Sequence, residues 1–95
     1  METYKHHIAQ SAILLKSLGH PIRLRIIISL SKNTLMTVTQ LSHDLGVDQP
    51  VMSLHLAILR KQDIIKVKKE GKRSVYSIAD ISIKQIINLV YHTRK

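Results

Sequence analysis

The chain has 95 residues, with 15 Lys and Arg against 6 Asp and Glu, so its formal net charge is +9. The length fits one domain, residues 1–95, and a second subunit would help to cover its core. The charge predicts a polyanionic partner, unless it serves only solubility. Because there is no cysteine, disulfides, zinc-thiolate sites and thiol switches are excluded. No signal peptide or membrane-length apolar run is visible, so we expect a cytoplasmic protein without a membrane partner.

The first half of the chain predicts a series of helices. Apolar residues at helical spacing predict a first helix over residues 3–18, which Gly19 ends. His20 resembles an N-cap and is followed by Pro21, a residue favoured in the first helical turn, so a second helix is expected from there to about Ser31.

A helix-turn-helix is expected next. Thr37 and Gln40 have the spacing of a capping box that opens a third helix, and Gly46 ends this helix. Asp48 then caps a fourth helix, which runs to about Lys61. The tight turn over residues 46–48 gives the two helices helix-turn-helix spacing.

The period of the apolar pattern changes from 3.6 to 2 at Ile64. Two alternating runs on either side of Gly71 predict a β-hairpin. A second capping-box pattern, from Ser82 to Gln85, predicts a last helix that ends at about Thr93. The fold class expected is therefore mainly α with a small β-hairpin, a winged helix-turn-helix of five helices and a two-stranded wing.

The fourth helix has two faces. Met52, Leu56 and Leu59 share one arc at 100° per residue and are expected to be buried. The opposite arc carries small and hydrogen-bonding side chains, which suit a helix in the major groove, although an ordinary solvated face would look similar. His55 lies at the border, where a DNA contact and a structural hydrogen bond both stay open. The candidate DNA-contacting residues of this helix are Gln49, Ser53, Leu54 and His55.

The hairpin is strongly basic. Seven Lys and Arg residues lie between Arg60 and Arg73, against two acidic residues. Charge on an exposed edge strand can serve to prevent aggregation, but the clustering at a hairpin tip favours contact with DNA phosphates. The candidate wing contacts are Lys68, Lys69, Lys72 and Arg73.

Apolar stripes on the first and last helices predict a homodimer, because one 95-residue chain would have difficulty covering both. Two recognition helices about a two-fold axis would then lie in successive major grooves. The expected interface residues are Tyr4, Ile8, Leu15, Ile83, Ile86, Ile87 and Val90.

Four blocks of the sequence resemble the ArsR/SmtB-type repressors. They are the segment Leu18–Ile26, the residues from Gln40 to Pro50, the segment Ser53–Arg60, and the run from Ile64 to Tyr76 with Glu70-Gly71-Lys72-Arg73 inside it. The resemblance covers nearly the whole chain. It implies a homodimer held by the first and last helices that represses transcription from an inverted-repeat operator. It also implies that Gln49, Ser53, Leu54 and His55 stand at base-contacting positions.

The chain departs from that family where members bind metals. Thr37-Val38-Thr39 stands where metal-sensing members often have Cys-Val-Cys, and only His92 stands near a position that ligates metal on the last helix. We therefore expect no metal and no cofactor, although a site across a dimer from His6 or His7 and His92 is conceivable. An effector, either a small molecule or a protein, stays open.

No phosphate-binding loop, acid pair or activated nucleophile is visible in the sequence, so an enzyme is not expected. The alternative to a sequence-specific repressor is a non-sequence-specific DNA-coating or architectural protein, which the positive charge alone would support. The polar outer face of the fourth helix argues against that alternative.

Overall fold

The computed structural model describes the backbone of residues 2–93 and the side chains of residues 3–92. The described part contains five helices and a small antiparallel sheet, which confirms the predicted mainly α fold class. The elements, in chain order, are α1 (Glu2–Leu18), α2 (Pro21–Asn33), β1 (Met36–Thr37), α3 (Val38–Leu45), α4 (Gln49–Lys61), β2 (Ile65–Glu70), β3 (Arg73–Ile78) and α5 (Ile81–Thr93).

The wing has three strands in the order β1-β3-β2. The strands β2 and β3 form the predicted hairpin, and Gly71 in its turn has φ 64°, which favours glycine. The prediction of a two-stranded wing missed β1, which pairs with β3 through Met36 and Tyr76. A strand of two residues is too short to show an alternating pattern, so only its pairing reveals it.

Most helix ends follow the sequence signals, although Asp48, which precedes α4 as predicted, makes no capping hydrogen bond with its side chain. His20 accepts a hydrogen bond from the Ile22 amide, and Thr37 and Gln40 form both bonds of the predicted capping box. At the start of α5 the prediction needs correction. Asp80, rather than Ser82, lies before the helix, and its side chain accepts from the Ser82 amide at 3.2 Å. The Ser82–Gln85 spacing matches a capping box, so the sequence pattern favours Ser82 over Asp80.

The apolar core is centred on α2, which contacts the other four helices and β3. Ile26 and Ile27 of α2 are fully buried, and they are joined by Leu41 of α3 and by residues of α4, β2 and α5. Each such side chain contributes about 1.5–3 kcal/mol relative to full exposure. This core fixes α3 and α4 against α2.

The helix α1 is mostly outside this core. Its side chains from residue 3 to residue 13 are exposed, and only Ser17 and Leu18 near its end are buried. A helix of 17 residues is ~26 Å long, so most of its length projects from the body of the domain. Within residues 2–93, no helix has the length and apolar character needed to cross a bilayer.

Candidate nucleic-acid interface

The helix α4 presents the two faces that its sequence predicts. Met52, Leu56 and Leu59 are at most 1% exposed and belong to the core. Away from this arc Gln49 and Ser53 are exposed, and so are the apolar residues Val51, Leu54 and Ile58. The buried apolar face therefore anchors α4, and it holds a mixed face with hydrogen-bonding side chains toward solvent.

The neighbouring helix α2 fixes the position of the helix-turn-helix. Gly46 ends α3 in the left-handed conformation, with φ 66°. Close to this turn, the Arg25 guanidinium donates to the Leu45 carbonyl at 2.9 Å. One residue earlier, the Ser29 hydroxyl donates to the Asp44 carboxylate at 2.8 Å. Two side chains of α2 thus hold the end of α3 just before the turn into α4.

Gln49, the first residue of α4, is joined to the first turn of α3. Its side-chain Nε2 donates to the Thr39 hydroxyl at 2.8 Å, and both residues are exposed. The sequence does not indicate Thr39 as a DNA-contacting residue, because a side-chain pair ten residues apart leaves no periodic signal. The helix-turn-helix assignment offers one clue, since it brings the first turns of both helices to the same surface.

His55 lies at the edge of α4, between its buried and exposed faces. Its ring centroid is 4.5 Å from that of His20, and its Nδ1 is 3.3 Å from Nη1 of Arg23. Because arginine only donates, Nδ1 accepts and the neutral ring carries its proton on Nε2. Burial, followed by the charges of His20 and Arg23, lowers the pKa of His55 below its usual value of 6.5. The structure therefore places this side chain against α2.

All four predicted wing contacts are exposed. Lys68 and Lys69 are neighbours on β2, so their side chains point to opposite faces of the strand. Lys72 occupies the turn and Arg73 begins β3. The tip of the wing and the first turn of α3 enclose an open groove of about 560 Å³, lined by Thr37, Val38, Thr39, Gln40, Lys72, Arg73 and Ser74. Two cationic side chains and several hydroxyl groups thus face one concavity beside the helix-turn-helix.

The predicted dimer residues fall into two groups. Tyr4, Ile8 and Leu15 of α1 and Val90 of α5 are at least half exposed, and Ile86 is half-buried. In contrast, Ile83 and Ile87 are only 3% and 4% exposed and pack in the core of their own chain. Helical periodicity alone predicts that Ile83 and Ile87 belong to an exposed apolar stripe. In the structure this part of α5 packs against α2. The exposed apolar surface of α5 includes Leu89, which the sequence reasoning missed.

Within the part of the chain that the structure describes, no three His, Asp or Glu side chains lie close enough together to hold a metal ion. His6 and His7 are neighbours on α1, with ring centroids 6.2 Å apart. The arrangement across a dimer with His92 stays a hypothesis, since it requires a second chain.

Comparison with known proteins identifies close relatives. A family model described as "Bacterial regulatory protein, arsR family" matches residues 20–67. An HTH-type transcriptional regulator of Methanocaldococcus jannaschii is 40% identical over 90 residues, which is 95% of this chain and 97% of the relative.

Solved structures with the same fold were also found. The transcriptional repressor PagR of Bacillus anthracis matches with a TM-score of 0.83 at 32% identity, over 90% of this chain and 98% of PagR. A homodimeric winged helix-turn-helix DNA-binding domain from Mycobacterium bovis matches with a TM-score of 0.91, over 99% of this chain and 86% of that one. The second likeness, at 22% identity, concerns the fold alone.

Proposed function

Since the chain belongs to the arsR family of bacterial regulatory proteins and is a DNA-binding transcriptional regulator, we propose that it is a homodimeric repressor of an inverted-repeat operator. The family is one of regulators, which agrees with the expectation that the chain is not an enzyme. The observation that carries the proposal is the exposure of the hydrogen-bonding residues Gln49 and Ser53 on α4, where Gln49 is bonded to Thr39 of the basic groove at the wing.

The outer arc of α4 has the chemistry for contacting base edges. The amide of Gln49 can donate and accept at the same time, which suits paired hydrogen bonds to adenine, and the Ser53 hydroxyl suits several bases. Leu54, which is 66% exposed, can contact a thymine methyl group. Because Gln49 is already bonded to Thr39, we assign Thr39 to the same contact surface. We assign His55 to positioning α4 against α2 rather than to base contact.

The groove between the wing tip and α3 suits the DNA backbone. Lys72 and Arg73 line one side, and the hydroxyls of Thr37 and Thr39 lie on the other. Such groups hydrogen-bond to phosphate oxygens without selecting a sequence. Lys68 and Lys69 add positive charge along β2, on opposite faces of the strand. The wing would therefore supply affinity and orientation, while α4 supplies sequence preference.

The exposed apolar surface of α1 supports a second copy as the partner. Tyr4, Ile8 and Leu15 line a shallow groove along this helix, together with Ala12. Such a stripe is unusual on a monomer surface, and α5 offers exposed Leu89 and Val90. A two-fold dimer through α1 and α5 would place two α4 helices in successive major grooves.

Selection of bound fragments from a random pool of double-stranded DNA tests this function. We expect an inverted repeat whose half-site centres are about one helical turn apart. A pool without a consensus would instead support the DNA-coating alternative. The electrophoretic mobility of the selected complex, compared with that of a half-site, checks that two chains bind.

The same operator tests the wing. The logarithm of affinity falls with the logarithm of salt concentration by about 0.9 per phosphate contact, and each contact counts twice in a dimer. The double variant Lys72→Ala, Arg73→Ala should flatten this dependence, whereas Lys5→Ala, Lys16→Ala on α1 removes equal charge and should not. An unchanged slope for the wing variant would show that these side chains do not touch phosphate.

A further inference from the structure

A cavity of about 270 Å³ lies between α2 and α5. Ile28 of α2 and Ile87 of α5 form an apolar floor, while Lys32, Lys84 and His92 supply polar, basic walls. Along α5, Lys84 and His92 lie eight residues apart and share one face, whereas Leu89 and Val90 turn away from it. The cavity is therefore separate from the apolar surface that we assign to the dimer, and from the DNA-contacting surface.

The cavity holds a buried polar atom that needs a partner. Ser31 lines the cavity, and its hydroxyl oxygen is buried and has no hydrogen-bond partner within the described residues. Buried hydroxyls in native proteins are nearly always hydrogen-bonded, so an orphan beside a cavity indicates a ligand or an ordered water. Among the described residues that line the cavity, none is acidic. The electrostatic environment thus favours an anion.

We propose that this cavity binds a small amphipathic carboxylate, with its hydrocarbon part on the isoleucine floor and its carboxylate between Lys32 and Lys84. The Ser31 hydroxyl would donate to a ligand oxygen. A volume of about 270 Å³ admits a single ring or a short branched chain. The apolar floor disfavours inorganic phosphate, whose oxygens would lie against hydrocarbon.

The cavity is well placed to influence DNA binding. The helix α2 holds the end of α3 through Arg25 and Ser29, and α5 carries part of the proposed dimer surface. A ligand that bridges α2 and α5 stabilises one relative position of these helices, so its binding free energy is coupled to that of the operator if the two states differ. This regulatory step rests on the proposed function, whereas carboxylate binding does not.

Calorimetric titration of the full chain with benzoate tests the site, and benzamide provides a neutral probe of the same shape. We expect saturable benzoate binding at least tenfold tighter than that of benzamide. Lys84→Gln should weaken benzoate binding at least tenfold, and Lys16→Gln on α1, with the same change in charge, should leave it unchanged. Absent benzoate binding, equal affinity for both probes, or equal losses in the two variants would overturn the proposal.

Ser31→Ala supplies a second test that does not depend on a lysine. Removal of an orphan hydroxyl should leave the unliganded Tm unchanged or higher, while benzoate affinity falls at least threefold. Unchanged benzoate affinity in this variant would remove Ser31 from the site.

A third measurement separates the site from its regulatory role. Operator affinity at saturating benzoate should change at least threefold in the parent and not in Lys84→Gln. An unchanged operator affinity would overturn the regulatory step alone, and failure to bind any operator without benzoate would overturn the proposed function instead.

Discussion

The helices α4 and α1 are both amphipathic, but they use their faces in opposite ways. The helix α4 buries Met52, Leu56 and Leu59 in the core and exposes a mixed surface that includes the hydrogen-bonding residues Gln49 and Ser53. The helix α1 buries little beyond Leu18 and exposes an apolar stripe that includes Leu15. The exposed hydrogen-bonding side chains of α4 are available to DNA, whereas the apolar stripe of α1 predicts a partner surface. The same periodicity thus has two different functional meanings, which depend on the face that the core covers.

The largest effect is expected on the inner face of α4. Leu56 is 1% exposed, so Leu56→Ala should lower the free energy of unfolding by about 2–5 kcal/mol, through lost burial and a cavity. The matched control is Leu54→Ala on the outer face, which should stay within about 0.5 kcal/mol. Urea unfolding monitored by circular dichroism measures both. Equal losses of unfolding free energy in Leu56→Ala and Leu54→Ala would contradict the assignment of the two faces.

The next largest effect is expected on the dissociation of the dimer, which tests whether a second copy covers α1. Leu15→Asp places a charge in the apolar stripe and should raise the dimer dissociation constant at least a hundredfold, which is about 2.7 kcal/mol. Gln10→Asp makes the same change in charge on the opposite side of α1 and should leave the dimer intact. Sedimentation equilibrium over a range of concentrations distinguishes them. The core residue Ile87 is unsuitable for this purpose, because a charge there would unfold the chain.

A smaller effect is expected on the outer face of α4. Gln49→Ala should remove about 1–3 kcal/mol of discrimination at one base pair in each half-site, with little change in Tm. Affinities for the selected operator, for single-base variants and for random DNA measure this discrimination. If affinity fell equally on all of these DNAs, Gln49 would not be contacting a base.

The smallest effect concerns pH at the contact between α4 and α2. The folded chain lowers the pKa of His55 below 6.5 through burial, His20 and Arg23. The unfolded chain therefore binds this proton more readily, so stability falls as the pH drops through 6.5 and is unaffected well above it. His55→Gln should reduce this loss of stability. The control His43→Gln, which changes an exposed side chain of α3, should lose stability as the parent does. Identical pH profiles of Tm for parent and His55→Gln would contradict the burial of this ring.

Most of the fold follows from local patterns in the sequence. The caps at His20 and Thr37, and the left-handed Gly46 and Gly71, lie where short-range chemistry places them, because each depends on residues a few positions away. The inner arc of α4 was also predictable, since a helix with one apolar stripe buries that stripe. The exposed basic side chains of the hairpin follow from its charge pattern.

Other features were decided by the tertiary structure. Periodicity placed Ile83 and Ile87 on an apolar stripe of α5, but only the packing of α5 on α2 shows that this part of the stripe is core. The strand β1 exists because β3 pairs with it, and the Gln49–Thr39 bond exists because the turn brings two helices together. The cavity beside Ser31 likewise needs both helices. A sequence pattern specifies which face of an element is apolar, whereas the contacts of that face depend on groups distant along the chain.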